Sequence, residues 1–199
     1  MCIRDSSNMN KSKSKFVFSK QDYESGSGFS TYIWGPCLWQ FIHIMTFNYP
    51  VKPTKEDKKN YLQFLQLLAK TLPCKWCRKN YSKNINEQDT KLDMNTMENR
   101  ETLSRWACNM HNKVNKILKK NTCKKYDETR DFYEQFRARC TPAKDVKKGQ
   151  HGGCTEPIHK GVKSRIVLRI VPRNSKTEVL KINKKCLCKK KILKKKILK

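Results

Sequence analysis

The sequence contains no apolar run long enough to cross a bilayer. A membrane-spanning helix needs about 20 consecutive apolar residues, and no stretch of the 199 residues approaches that length. The first residues also lack the basic and then apolar pattern of a secretory signal. These absences exclude the usual membrane and secreted classes, and we expect a soluble protein that is not secreted and works in the cytoplasm.

Acidic residues are scarce, with 17 Asp and Glu against 45 Lys and Arg, for a formal net charge of +28. The imbalance is greatest in residues 141–199, which hold 19 basic and 3 acidic residues. A basic surplus attracts polyanions and anionic surfaces, but it also follows from a lysine-rich coding bias. Charge alone therefore leaves open whether the basic tail contacts nucleic acid or an anionic surface.

Cysteine, in contrast, is abundant, with ten residues. In a reducing compartment this content favours metal binding or redox chemistry over a passive disulfide framework. Residues 1–8 resemble a cloning or assembly scar, and Cys2 is therefore left out of the chemistry.

Helical periodicity extends over residues 32–140, and no segment there alternates as a strand does. We predict an all-α domain at 32–140, built as a four-helix bundle with a short fifth helix. The polar residues before it, 1–31, are expected to form a flexible leader. Capping residues, prolines and the apolar pattern place the helix starts near five residues. These are Trp34, Thr54, Cys74, Arg100 and Asp131.

The composition changes again after Cys140. Residues 141–188 form a basic extension in which 166–171 and 178–182 read as two short strands of a hairpin, with a turn at 172–175. Residues 189–199 are low-complexity lysine with Ile and Leu. We expect this part to lie outside the helical domain.

The Cys74-Lys75-Trp76-Cys77 segment is the first candidate site. Unpaired amides and the dipole at a helix start stabilise a thiolate, so this pair could cycle between dithiol and disulfide. Zinc binding is the alternative, because Cys74, Cys77, Cys108 and His111 have the residue types of a tetrahedral Cys3His site. That alternative describes a basic zinc module that binds nucleic acid. A third hypothesis is that the protein is a catalytically inactive scaffold.

Three segments carry a resemblance to a known family. They are WGPCLWQFIH at residues 34–43, LPCKWC at 72–77 and WACNMHNKVNK at 106–116. In this order the chain resembles the Erv/ALR family of sulfhydryl oxidases. The resemblance implies a homodimeric helical oxidase with non-covalent FAD that acts on protein thiols and reduces oxygen to hydrogen peroxide. No metal is implied.

The resemblance also implies roles for individual residues. Cys74 would face the substrate and Cys77 the flavin, while Cys108 and Cys123 would form a structural disulfide. On a flexible end, Cys186 and Cys188 are a candidate shuttle pair. The implied cofactor-binding residues are Trp34, Gly35, Trp39, His43, Cys108, His111, Asn112, Val114, Asn115, Lys116, Lys119 and Tyr126.

Two further features bear on origin and on the remaining cysteines. The Gly35-Pro36 form and the basic extension resemble homologues of large DNA viruses, which would place the protein in host cytoplasm or in the virion. Cys140 and Cys154 bracket a Gly/Lys loop and are a candidate disulfide. Cys37 is expected to be a buried, small apolar side chain.

Overall fold

The computed structural model describes residues 19–122, 125–139, 153–154, 156–157, 164–176, 181–183 and 186. Most of these residues are helical, which confirms the predicted all-α fold. No helix within these ranges is both long and apolar enough to span a membrane. The elements are α1 (Lys20–Tyr23), α2 (Thr31–Phe47), α3 (Lys55–Thr71), α4 (Lys75–Asn84), a 3-10 turn (Gln88–Thr90), α5 (Arg100–Ile117), α6 (Tyr126–Glu134), β1 (Ala138–Arg139) and β2 (Glu156–Pro157).

The helix starts follow from local capping. Before α3, the Thr54 hydroxyl accepts from the Asp57 amide at 3.0 Å, and the Asp57 carboxylate accepts from the Thr54 amide at 2.8 Å. Before α5, the Asn99 side chain accepts from the amides of Glu101 and Thr102. These bonds satisfy helix amides that have no partner inside the helix. The predicted starts of α3 and α5 are confirmed.

The bundle core lies between two helix pairs. Helix α2 packs against α5 and α6, and α4 packs against α3. Fully buried side chains between them include Leu65, Met97, Leu103 and Met110. Each contributes roughly 1.5–3 kcal/mol through burial alone. Tyr49 is also fully buried and donates to the Met97 carbonyl at 3.0 Å, so its hydroxyl is satisfied.

Two predicted segments differ from the structure at the ends of the domain. Within the expected leader, the described residues begin at Ser19, whose reciprocal cap with Asp22 starts α1. The last helix, α6, begins at Tyr126 and not at Asp131. Lys125 provides no side-chain cap before it, and the sequence therefore carries little signal for this boundary.

The predicted hairpin is wrong in its first arm. The turn forms, with the Ser175 amide donating to the Pro172 carbonyl at 2.9 Å, but residues 166–171 form no strand. Their β-branched side chains bury no face, and Val167 is 75% exposed. Of the second arm, 178–180 fall outside the described residues. Among the described residues, β1 pairs with β2 in antiparallel register.

Candidate functional site

Cys74 and Cys77 form a disulfide at the amino end of α4, with their Cα atoms 5.1 Å apart. Cys74 is the N-cap residue, and its sulfur accepts from the Cys77 amide at 3.2 Å. Both residues are half-buried. An amide aimed at sulfur stabilises a thiolate once the disulfide opens, so the local geometry suits a redox-active pair.

A segment of the predicted leader lies against the amino end of α4. We call residues 26–29 the strap. The Phe29 amide donates to the Pro73 carbonyl at 2.7 Å, and the Lys75 amide donates to the Ser27 carbonyl at 2.9 Å. Gly28 lies between these bonds with φ 97°, and a Cβ there would lie only 2.9 Å from the Cys74 Cα. The strap therefore fixes the backbone on both sides of Cys74.

Two side chains hold the strap in place. The Arg78 guanidinium donates to the Leu72 carbonyl at 2.6 Å and to the Gly26 carbonyl at 3.3 Å. The Trp34 indole donates to the Phe29 carbonyl at 3.1 Å. Trp34, which the resemblance assigns to the cofactor, thus makes a bond that supports the disulfide. Its neighbour Gly35 has open space around its Cα.

A second cluster lies between α2 and α5, where three rings contact each other. The His111 imidazole lies parallel to the Trp39 indole, with centroids 4.1 Å apart and 7° between the planes. The His43 Nε2 and His111 Nδ1 atoms are 2.9 Å apart and share a hydrogen bond. The structure therefore brings together three of the predicted residues from two distant segments.

His43 is the most enclosed residue of this cluster. Its ring stacks on Tyr133 with centroids 5.2 Å apart, and the Tyr133 hydroxyl donates to Gln40 at 3.1 Å. Phe47 stacks on the same tyrosine. The sequence interpretation missed Tyr133; the aromatic spacing of Phe132, Tyr133 and Phe136 was the available signal.

Burial keeps both imidazoles neutral. It lowers the pKa of His43 to about 3, with the charge of His111 as a smaller cause. It also lowers the pKa of His111 to about 4, with Lys120 adding to the effect. The Nδ1 atom of His43 is buried and has no hydrogen-bond partner among the described residues. The cluster thus contains an uncharged polar atom that can receive a ligand group.

The other predicted cofactor residues on α5 lie beside His111. Asn112, Val114 and Asn115 are half-buried, while Lys116 and Lys119 are exposed. Helical spacing places residues 111 and 115 on one face. Lys113 was not predicted, and it binds Glu87 at 2.6 Å and also Asp89. It ties α5 to the loop that carries the 3-10 turn.

Tyr126, the last predicted cofactor residue, lies at the start of α6. Its hydroxyl is 2.9 Å from the Ser104 hydroxyl, and the Arg105 guanidinium lies 3.9 Å from its ring centroid. Its ring also contacts Phe47. Through Phe47 and Tyr133, this residue belongs to the same aromatic group as His43.

The remaining cysteines are placed separately. Cys108 is buried on α5, but Cys123, its predicted partner, lies outside the described residues. Cys186 is half-buried, and Cys188 falls outside those residues. Cys154 is disulfide-bonded, and its predicted partner Cys140 is likewise not described. Cys37 is exposed, so the expectation of burial was wrong: it lies on the outer face of α2.

The zinc hypothesis is not supported. No group of three or more His, Cys, Asp or Glu side chains that could hold a metal occurs in the part of the chain that the structure describes, which includes all four proposed ligands. Cys74 and Cys77 are bonded to each other, and the ring of His111 faces His43 and Trp39.

Comparison with known proteins gives the family. The profile described as the Erv1 / Alr family matches residues 36–137, just over half of the chain. The chain belongs to this family. The Erv1 / Alr match includes both the disulfide and the ring cluster. It begins after the strap, which the structure nevertheless joins to Cys74.

Relatives within the Erv1 / Alr family are named as FAD-linked enzymes. The chain is 40% identical over 86 residues to the mitochondrial FAD-linked sulfhydryl oxidase ERV1 of Saccharomyces cerevisiae, covering 43% of each protein. It is 38% identical over 82 residues to a probable FAD-linked sulfhydryl oxidase of Acanthamoeba polyphaga mimivirus, covering 41% of this chain and 56% of the relative. The chain thus spans about half the length of these relatives.

A viral relative and a solved structure extend the comparison. The chain is 29% identical over 102 residues to the FAD-linked sulfhydryl oxidase of an African swine fever virus isolate, covering 51% of this chain and 81% of the relative. It is 30% identical to the crystal structure of the yeast Erv1 core, with a TM-score of 0.45, over 63% of this chain and 94% of that one.

Proposed function

We propose that the protein is an FAD-dependent sulfhydryl oxidase that forms disulfides in client proteins and passes the electrons to oxygen, giving hydrogen peroxide. The Cys74–Cys77 disulfide at the amino end of α4 is the observation that carries this proposal. Family membership supports it, since the relatives are named FAD-linked sulfhydryl oxidases. The catalytic domain is proposed to include residues 32–140 together with the strap.

The ring cluster suits the FAD that this activity requires. Trp39, His43 and His111 provide a neutral aromatic cluster, and the buried Nδ1 atom of His43 has no partner among the described residues. Asn112 and Asn115 add amide groups on α5, and Lys116 and Lys119 add cations suited to a diphosphate. The wider cofactor set is proposed to comprise these residues with Trp34, Gly35, Cys108, Val114 and Tyr126. The bound flavin would supply a two-electron acceptor that oxygen reoxidises.

The cysteine chemistry follows thiol–disulfide exchange. A client thiolate attacks the Cys74 sulfur, a mixed disulfide forms, and the Cys74–Cys77 bond breaks with Cys77 leaving as a thiolate. A second client thiol loses its proton and attacks the mixed disulfide, which releases Cys74 as a thiolate and leaves the client oxidised. The Cys77 amide, 3.2 Å from the Cys74 sulfur, stabilises that thiolate. Two electrons then reside on the Cys74 and Cys77 pair.

An absorption spectrum and oxygen uptake with dithiothreitol test this function. We expect the visible absorbance of a bound flavin and oxygen consumption that Cys74→Ala and Cys77→Ala abolish. Cys37→Ala is the matched control, since this exposed cysteine lies outside the proposed site, and it should retain activity. Colourless protein, or uptake that survives both active-site substitutions, would contradict the proposal.

The other cysteine roles need separate tests. We expect Cys108 and Cys123 to form a structural disulfide, detectable by peptide mapping without reduction. Cys186 and Cys188 are proposed to carry electrons from clients to Cys74. Replacing both with Ser should then slow oxidation of a protein client while leaving oxidation of dithiothreitol unchanged. If the double variant and the wild type oxidise the protein client at equal rates, the shuttle proposal is wrong.

An exposed apolar face supports the proposed homodimer. Phe41 and Ile44 on α2 and Phe64 and Leu67 on α3 are all at least partly exposed, and the Phe41 and Phe64 rings meet edge to face at 6.2 Å. A dimer interface removes such apolar surface from water. Phe41→Glu with Leu67→Glu should shift the molar mass measured by light scattering from dimer to monomer. A wild-type protein that is already monomeric would contradict this assignment.

We also propose a location for the activity, in the cytoplasm of a host cell or in a virion. Support comes from the relatives in mimivirus and African swine fever virus. Immunogold labelling of infected cells with an antibody against this chain would test it, and label confined to mitochondria would contradict it.

A further inference from the structure

The surface beside Cys74 is basic. Helix α4 has the sequence KWCRKNYSKN, with no acidic residue. Lys75, Trp76 and Lys79 lie on its first turns, and all three are exposed. Trp76 is 69% exposed, and the Lys79 amine lies 5.5 Å from its ring centroid. We call these three residues the client patch.

Among the described residues, the cations of the client patch have no anionic partner. Within the described ranges, no carboxylate forms an ion pair with Lys75 or Lys79, whereas Lys83 at the far end of α4 binds Glu87 at 3.7 Å. Lys113 binds the same glutamate at 2.6 Å. The two cations nearest the disulfide, Lys75 and Lys79, are therefore available to an anionic binding partner.

The two acidic residues just before the strap, Asp22 in α1 and Glu24 after it, contact groups outside the client patch. Asp22 accepts from the Ser19 hydroxyl at 2.6 Å, and Glu24 lies 3.8 Å from the Lys20 amine. The nearest additional cation, Arg78, is bonded to carbonyl groups and not to a carboxylate. Because α4 carries four basic and no acidic side chains, the potential at its amino end is positive, and the helix dipole adds to it.

The strap limits where a client can contact Cys74. Gly28 covers the backbone of residues 73 and 74, and the bonds of Ser27 and Phe29 occupy the neighbouring amide and carbonyl groups. The exposed side chains of Lys75 and Trp76, on the first turn of α4, remain open beside Cys74. A client that reaches Cys74 from this side contacts the client patch.

We propose that the client patch selects polypeptides whose reactive cysteine is flanked by acidic residues, with an apolar side chain placed against Trp76. This inference rests on the proposed function and adds the substrate class. Complementary charge increases the rate of encounter and excludes like-charged partners. Exposed tryptophan is a common anchor of protein interfaces. Nucleic acid also suits a basic surface with an aromatic ring, but it carries no thiol to bring to the adjacent disulfide.

Three dithiol peptides of equal length test the proposal, with the same cysteine pair flanked by Asp and Glu, by Ser and Asn, or by Lys and Arg. The quantity measured is kcat/KM for oxygen uptake with each peptide, divided by the same protein's rate with dithiothreitol. We expect the acidic peptide to exceed the basic one by about tenfold or more at low salt. The ratio between the acidic and the basic peptide should decline as ionic strength rises from ~0.01 to ~1 M, because screening shortens the Debye length from ~30 to ~3 Å.

Charge reversal separates the patch from the general basicity of the protein. Lys75→Glu with Lys79→Glu should invert the preference between acidic and basic peptides. Lys55→Glu with Lys59→Glu is the matched control, because it reverses two exposed lysines with the same spacing on the first turns of α3 and changes net charge equally. Trp76→Ala should lower the normalised value for the acidic peptide severalfold, and Trp76→Phe should restore most of it.

A binding assay keeps this test independent of the redox activity. Fluorescence anisotropy of a labelled acidic peptide with Ser in place of Cys measures binding alone. The proposal would be overturned if the Lys75/Lys79 and Lys55/Lys59 double variants preferred the acidic peptide over the basic one to the same degree. Single-stranded RNA binding that depends on Lys75 and Lys79 without any preference among peptides would also overturn it. If the wild-type protein does not oxidise dithiothreitol, the proposed function is contradicted instead.

Discussion

The imidazole of His111 and the indole of Trp39 lie face to face, 4.1 Å apart and within 7° of parallel, although 72 positions separate them in the chain. Because His111 also bonds His43, a single residue of α5 connects two residues of α2 that are one helical turn apart. The alignment of α2 with α5 therefore determines the shape of the surface proposed to hold FAD.

Removal of the Trp39 ring is expected to weaken FAD binding. A stacked aromatic contact is worth about 0.5–1.5 kcal/mol beyond the area it buries, so Trp39→Ala should lower FAD affinity by about tenfold. Trp39→Phe keeps a ring and should lose less. Isothermal titration of FAD into apoprotein measures both, and equal affinity for the Ala variant and the wild type would exclude Trp39 from the cofactor site.

The buried histidines should make stability depend on pH below neutrality. The pKa of each imidazole is lowered on folding, to about 3 for His43 and about 4 for His111. The unfolded chain, with a histidine pKa of ~6.5, then binds more protons than the folded one, and the free energy of unfolding falls as pH drops below about 6.5. Neutral imidazoles contribute their full stability above that value.

Urea unfolding between about pH 7.5 and 5 measures this dependence before most carboxylates titrate. His43→Asn removes one of the two groups and should reduce the slope with pH, whatever it does to the stability at neutral pH. A slope unchanged by the substitution would mean that other groups cause the dependence.

Gly28 in the strap should not tolerate a side chain. Its φ of 97° disfavours residues with a Cβ, and an added Cβ would meet the backbone of Pro73 and Cys74. We expect Gly28→Ala to reduce the free energy of unfolding by about 1–3 kcal/mol. Gly26→Ala is the control, since a Cβ there has nothing within 4 Å. Urea titration compares the two, and similar midpoints would show that the strap is not under this constraint.

Tyr32 connects the basic extension to the start of α2. The Arg173 guanidinium donates to the Tyr32 hydroxyl at 3.0 Å and lies 4.7 Å from its ring centroid, while the Lys120 amine lies 5.4 Å from the same ring. Tyr32→Ala should speed amide hydrogen exchange in residues 164–176, and Tyr32→Phe, which keeps the ring, should do so less.

Tyr23 provides the control for this exchange experiment, because it is exposed and has no aromatic or cation contact of this kind within the described residues. Tyr23→Ala should leave exchange in residues 164–176 unchanged. If Tyr32→Ala leaves it unchanged as well, the contact does not hold the extension.

Local signals in the sequence were sufficient for the main helices and for the position of the cysteine pair. The Thr54 cap, Pro73 before Cys74 and the apolar spacing of α5 each depend on neighbours within one or two turns. The strap could not be predicted in this way. It bonds through backbone groups to residues more than 40 positions away, and its Ser and Gly content is also that of a flexible linker.

The errors in the basic extension have a different physical origin. Residues 166–171 have strand-like composition, but composition does not provide a partner strand or a buried face. In contrast, β1 and β2 each contain two residues, too few to show any alternation. The ring contacts of Tyr133 with His43 depend on how α6 packs against α2, which the one-dimensional pattern does not contain.

The strap also changes where the functional unit begins. The family match starts at residue 36, but Ser27 and Phe29 bond the backbone on either side of Cys74. A fragment trimmed to residues 36–137 would leave the Pro73 carbonyl and the Lys75 amide to water and would free Arg78 from Gly26. Such a fragment should keep its helical content and its ring cluster but lose the fixed position of the Cys74 sulfur, which we propose that clients attack.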